Sequence, residues 1–227
     1  MILKFNERYK MIYTNIPFAP ESSGTNLGVA YNKFMEMLPN DDDWGCFLDH
    51  DAMFTTKDWY NQLENIIKKY PDIGAFGART NRLNCTYQVV GNIDVYKHDI
   101  SYHRKIGKYI QTKYYDDLLK VDKNTLQIGF SGVVILIKKS TWKQIDGFKT
   151  EGFNHVDNDL RYRIEAINQN LHIMNGIYVY HWYSADKPYD RCVEKFKVID
   201  DHYKKNNKPF DINKVFLYNG RENELPA

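Results

Sequence analysis

The stretch Trp44-Gly45-Cys46-Phe47-Leu48 is apolar throughout and runs directly into Asp49-His50-Asp51. Such a run is too short for a buried helix and suits a strand covered on both faces, the kind found inside an α/β sheet. Side chains alternate along an extended chain, so residues 49 and 51 at the strand's exit can bring two carboxylates into one crevice. Hard oxygen ligands suit Mg²⁺ or Mn²⁺, with substrate phosphates completing the shell. The plain alternative is a pair of solvated loop acids.

Strand and helix patterns alternate on both sides of this run. Lys10-Met11-Ile12-Tyr13-Thr14 favours β structure and gives way to a loop through Pro17, Pro20 and Glu21-Ser22-Ser23-Gly24. Leu27, Ala30, Tyr31, Phe34 and Leu38 have helical spacing, with Thr25 or Asn26 as cap and Pro39-Asn40 as stop. Asp41-Asp42-Asp43, ahead of the buried strand, reads as a polar turn. A second helix is expected over Trp59 to Tyr70, then a short strand over Ile73 to Phe76 and a polar segment from Arg79 to Asn84. From about Asp94 to Lys123, Tyr, Lys, His and Asp recur without clean periodicity, which reads as a loop-and-helix insertion.

Phe130-Ser131-Gly132 opens a strand over Val133 to Ile137, and Ser140-Thr141-Trp142 caps a short helix ending at Asp146-Gly147. Asp159 to Asn168 is helical, Leu171 to Tyr180 is a strand interrupted at Gly176, and a helix with an irregular tail follows from about Pro188. This alternation predicts a three-layer α/β/α sandwich around a mainly parallel sheet, whose ligands sit at strand C-terminal ends. Residues 1–187 form the domain, and residues 188–227 pack on it.

At 227 residues the chain is long enough for one sizeable core. Charged residues at 26% and apolar ones at 43% fit a soluble globular enzyme, and a net charge of +2 is too small to suggest a nucleic-acid coat, so no specific nucleic-acid partner is expected. Cys46, Cys85 and Cys192 are odd in number and widely spaced, which suggests neither a disulfide framework nor a zinc knuckle and points to a reducing compartment. Met1 to Lys10 carries charges and no apolar core, so a cytoplasmic location is expected. No run approaches the roughly 18 apolar residues of a transmembrane segment.

A second constellation follows the first. Ser131-Gly132 is succeeded by Gly147-Phe148, Glu151-Gly152-Phe153, Val156-Asp157-Asn158-Asp159-Leu160, Arg163 and finally His181-Trp182. Together with Asn26-Leu27-Gly28…Asn32 and Asp49-His50-Asp51, this order resembles the family-two group of GT-A glycosyltransferases, especially short phage-like members, from about Asn26 to Trp182. The resemblance implies a metal-dependent, hexosyltransferase-type enzyme using a nucleotide-sugar donor, by family default a UDP-sugar, and a hydroxyl-bearing glycan, protein or small-molecule acceptor.

Residue by residue, the resemblance makes Asp49 and Asp51 the DxD carboxylates that hold Mn²⁺ or Mg²⁺ against the donor diphosphate. His181 is then the third metal ligand and Asp157 the catalytic base of an inverting reaction. Thr14, Asn26, Ser131 and Gly132 line the donor site. The chain departs from the family at Val156, where a Glu is usual, at Tyr31, where a basic residue is usual, and in having one short strand before the Asn26 helix.

Each assignment has a structural rival. His181 can be a hydrogen-bonded histidine at a strand end, Asp157 or Asp159 a helix cap, Asn26 the cap of its own helix, and Gly132 a packing glycine. His103-Arg104 with Lys105 and Lys108 can close over a diphosphate or form a solvated face. For the whole chain, the rivals are a sugar-nucleotide nucleotidyltransferase, for which no glycine-rich basic loop is visible, and a non-catalytic sugar-binding module.

Overall fold

The computed structural model describes residues 10–17, 26–83, 85–91, 93–121, 130–150 and 156–182. The helix and tail expected over 188–227, the motif Glu151-Gly152-Phe153 and Cys192 lie outside them. In chain order the elements are β1 (Ile12–Asn15), α1 (Leu27–Met37), β2 (Trp44–Leu48), β3 (Ala52–Phe54), α2 (Trp59–Lys69), β4 (Ala75–Thr80), α3 (Ile100–Tyr114), β5 (Leu118–Lys120), β6 (Val134–Lys138), α4 (Lys139–Gln144), α5 (Val156–Ala166) and β7 (Leu171–His181).

The fold is α/β, and its sheet is mixed. The order is β1-β2-β6-β4-β7-β3, with β5 also paired to β7. Among the described strands, parallel pairing, expected to dominate, joins only β1 with β2 and β4 with β7. The strand β6 enters antiparallel between β2 and β4, and β3 and β5 pair antiparallel with β7. Both short strands escape a pattern-based reading because three residues carry no usable period.

All five residues of β2 are buried, as a two-sided strand requires. Its alternation is visible in the contacts. Gly45 faces Met35 of α1 and the Phe47 ring lies tilted against Tyr31 with centroids 4.4 Å apart, whereas Trp44 turns to Phe76 on the other face. Helix α1 is capped by Asn26, whose side chain accepts from the Val29 N–H. Asn32 fastens α1 to the turn after α4: its Nδ2 donates to Phe148 O, and its Oδ1 accepts from Phe148 N–H and Trp142 Nε1–H. The chain reaches that turn through Asp146 and Gly147, both at positive φ.

Three local expectations change and one, the loop-and-helix segment, is borne out in its helix and gains a short strand. The strand expected over Ile73 to Phe76 runs on into the polar segment: β4 is Ala75–Thr80, so Arg79 and Thr80 belong to it and are buried. Burial is possible because Arg79 Nε and Nη2 donate to Asn175 Oδ1 at 2.9 and 2.6 Å. Gly176 does not interrupt β7. It lies in a bulge where Ala78 pairs with Met174 and the next residue, Arg79, pairs with Tyr178. A Cβ at Gly176 would sit 2.4 Å from Tyr114 O and 2.6 Å from Tyr115 O, so only glycine admits the end of α3. Ser140 is not the cap of α4, because the helix begins one residue earlier with Lys138 at the cap position. The segment 94–123 holds α3, a four-turn helix, and β5.

Most of the core is one cluster, with Ile106, Ile110 and Tyr178 forming a smaller one between α3 and β7. No described helix is long and apolar enough to cross a membrane.

Candidate metal centre

The exit of β2, the start of β3 and the end of β7 meet at one point. Ala52 pairs with His181, the Asp49 N–H donates to Val133 O, and the Trp182 N–H donates to Asp51 O. Asn81, just beyond β4, brackets His181: the His181 N–H donates to Asn81 Oδ1 at 2.7 Å and Asn81 Nδ2 donates back to His181 O at 3.1 Å. The histidine backbone is therefore fixed on both sides, in a buried position.

Its ring is fixed too. Nδ1 lies 3.1 Å from the Arg82 carbonyl oxygen, which can only accept, so Nδ1 carries a proton. Nε2 is turned to the carboxylates, 3.1 Å from Asp51 Oδ1 and 3.7 Å from Asp49 Oδ2. One ligand atom each from Asp49, Asp51 and His181 lie within 4.8 Å of one another. A backbone carbonyl that sets the tautomer of a ligating histidine is a usual supporting contact at metal sites. Two carboxylate oxygens suit Mg²⁺ or Mn²⁺, and the imidazole nitrogen tilts the set toward Mn²⁺. The residues present fit such a cation.

Electrostatics separates the two acids. Burial pushes the Asp49 carboxyl up to about 6, with the nearby Asp51 and Asp157 carboxylates adding to the rise and His181 opposing it. Asp51 is held below its usual range, chiefly by its hydrogen bond to His181. Crowded carboxylates with one raised pKa are the pattern that a divalent cation relieves.

Asp157 belongs to this neighbourhood. It lies in the first turn of α5, its Oδ2 accepts from the Gly132 N–H at 3.2 Å, and its Oδ1 accepts from the Asn158 N–H. Its charge acts on both Asp49 and Tyr31. Gly132 lets it come close, since a Cβ there would meet Ile135 Cδ1 at 2.9 Å and Asp157 Cβ at 3.3 Å. Ser131 is held in both directions by Gln88, and the Phe130 N–H donates to Asn158 Oδ1. The 130–133 segment thus ties Asp49, Asp157 and Gln88 into one floor.

The remaining sequence candidates stand apart from this floor. Thr14, exposed on β1, is hydrogen-bonded to the Cys46 side chain, whose thiol burial pushes up to about 12. Asn26 spends its side chain on the α1 cap and on a hydrogen bond from Nδ2 to Thr150 O. Asp159 forms an ion pair with Arg163 at 2.5 Å. His103 leaves the basic group it was placed in: it is buried, with Nε2 at 2.6 Å from Lys97 O and Nδ1 at 2.7 Å from the Tyr178 hydroxyl.

Sequence reasoning missed Asn81, Arg82 and Gln88, which hold the site through backbone groups, and Tyr31, whose buried hydroxyl is driven up by burial and by Asp49 and Asp157. Only Tyr31 had a readable signal, its apolar-face position in α1. No protein-family model matches the chain, and comparison with curated proteins gives no match either.

Proposed function

We propose that the chain is a GT-A type, divalent-metal-dependent glycosyltransferase that moves a sugar from a nucleotide diphosphate donor, a UDP-sugar by family default, to a hydroxyl-bearing acceptor. One observation carries the reading: Asp49, Asp51 and His181, from segments 130 residues apart, present three ligand atoms within 4.8 Å at one end of the sheet.

In this reading Asp49, Asp51 and His181 would hold Mn²⁺ or Mg²⁺, with His181 offering Nε2 because its Nδ1–H is spent on the Arg82 carbonyl. When bound, the cation supplies Lewis-acid stabilisation of the departing nucleoside diphosphate. Asp157 accepts the proton of the acceptor hydroxyl as that oxygen bonds to the anomeric carbon on the face opposite the breaking bond to the diphosphate, a single displacement that inverts the centre. Gly132 steers it through the N–H bound to Oδ2, leaving the other lone pairs of the carboxylate to take the proton.

The test is a panel of nucleotide sugars with Mn²⁺ and with EDTA, scored for free nucleoside diphosphate. Slow donor hydrolysis needs no knowledge of the acceptor. Release from one donor in Mn²⁺ alone supports the reading, and metal-independent release, or none from any donor, overturns it.

A further inference from the structure

The basic residues of α3 do not reach the metal centre as a lid. Arg104, Lys105 and Lys108 instead line a separate cavity of about 450 Å³ together with Lys57, Thr56 and Ser101. Its far wall is the loop that leaves β3, and Thr55 begins that loop. From Asp51 to Thr55 is four residues, at most about 14 Å of extended chain, so the cavity neighbours the metal centre without sharing a residue with it.

The cavity has fixed walls. Gly107 brings α3 onto the loop, since a Cβ there would lie 2.0 Å from Thr55 Oγ1, and that hydroxyl donates to Tyr178 O at 2.6 Å. Asp58, the one carboxylate in the lining, accepts from Gln111 Nε2 at 3.0 Å. It sits at the cap position of α2 and gives that helix no side-chain cap, so the start of α2 lies at the edge of the cavity. Lys57, Arg104 and Lys105 are exposed, and none makes an ion pair among the described residues. Four cations and one acid thus converge in a chain whose whole net charge is +2.

We infer that this cavity is a binding site for a phosphate group, held by Arg104, Lys105, Lys57 and Lys108 with the Thr56 and Ser101 hydroxyls as neutral donors. A guanidinium fork beside ammonium groups, hydroxyls and a helix start matches the tetrahedral anion in charge and donor geometry. A neutral ligand would leave the repulsion among the four cations in place, and a carboxylate would use fewer of the donors.

The experiment titrates the full chain in EDTA with inorganic phosphate and follows the amide resonances of Thr56, Lys57 and Ser101, with sodium chloride at matched ionic strength as control. A saturable shift is expected with phosphate alone. It weakens by about tenfold or more in Arg104→Gln/Lys105→Gln, from the loss of two charge-assisted contacts, returns in Arg104→Lys/Lys105→Arg, and is unchanged in Asp51→Asn. An equal response to chloride, or undiminished affinity in the double Gln variant with an intact spectrum, overturns the inference. Because EDTA and Asp51→Asn disable the metal centre, failure here is distinct from failure of the transferase reading. Two further arms identify the source. Glycerol phosphate acting on the same resonances points to a small soluble ester. Co-sedimentation with phosphatidylglycerol vesicles, lost in the double Gln variant, points to a lipid headgroup. Either result upholds the phosphate site.

Discussion

Two acidic runs flank the same strand, and the structure uses them in opposite ways. Ahead of β2, Asp41 and Asp42 pair with Lys143 and Lys138 at 2.6 Å each, and buried Asp43 accepts from the Met11 N–H, the Asn40 N–H and Asn40 Nδ2. Behind β2, Asp49 and Asp51 both lie close to the His181 ring, and Asp157 adds a third negative charge nearby. The first run is neutralised within the protein. The second is left crowded, and it is this one that the proposed cation would complete. Carboxylates that spend their lone pairs on N–H donors and lysines build a turn; carboxylates left crowded build a site.

The largest effect that sharpens this contrast is expected at Asp157. Asp157→Asn removes the proton acceptor without removing a metal ligand, so transfer should fall by about two orders of magnitude or more, while Mn²⁺ affinity changes little and stability falls by only about 1–2 kcal/mol, because the amide keeps one oxygen for the Gly132 or Asn158 N–H. Loss of Mn²⁺ binding in that variant would make Asp157 part of the metal shell instead. Asp159→Asn, which breaks only the pair with Arg163, should leave transfer close to the parent rate.

Next comes a swap between the two runs. Asp51→Asn should weaken Mn²⁺ binding by at least about tenfold, measured by electron paramagnetic resonance titration, because a charged ligand becomes a neutral one. Asp42→Asn, which loses a solvent-exposed ion pair, should leave the titration unaltered and cost less than about 1 kcal/mol of stability. Equal curves for the two variants would remove the distinction between the runs.

Asp43→Ala should act on stability alone. It strands the Met11 and Asn40 donors that the buried carboxylate satisfies, at a cost of about 3 kcal/mol by denaturant titration with the metal site unaffected. A near-neutral effect would mean that water replaces the carboxylate there.

The smallest effect is a matter of pH. The folded pKa of Asp49, about 6, is above the ordinary 3.8, so the folded chain holds its proton more tightly than the unfolded one. Metal-free protein should therefore lose stability as pH rises from about 4 to about 6, and Asp49→Asn should abolish that slope. Its gain at pH 7 should be about 1 kcal/mol, because solvent screens a side chain that is one-third exposed. In the parent chain Mn²⁺ should raise the melting temperature at pH 7 and lose that effect below pH 6, as protons compete for Asp49. A flat profile without metal would place the Asp49 charge in a better-solvated setting.

The contrast also shows how far the sequence reaches. The β2 run and its acids are legible because burial on both faces leaves only apolar side chains to read, whereas His181 is singled out by the family resemblance and not by its strand, which also carries His172 and Asn175. The α3 helix is not legible from apolarity. Its inward positions are His103, Ile106, Gly107, Ile110 and Gln111, a regular helical spacing in which three of the five are not hydrophobic. His103 and Gln111 are buried through hydrogen bonds to Tyr178 and Gln62, partners remote in sequence. The same limit hides Asn81 and Arg82, whose contribution to the site is made by backbone-directed contacts that no spacing encodes. Arg79 likewise looks like a loop residue until Asn175, far along the chain, supplies its acceptor.

The most direct measurement is a calorimetric titration of a nucleoside diphosphate, UDP first, into the parent chain with Mn²⁺ and again with excess EDTA. Binding in Mn²⁺ that disappears on chelation, and that Asp51→Asn abolishes while Asp42→Asn preserves, is the expected result. Undiminished binding in EDTA, or equal binding by the two variants, would contradict a metal centre built from Asp49, Asp51 and His181.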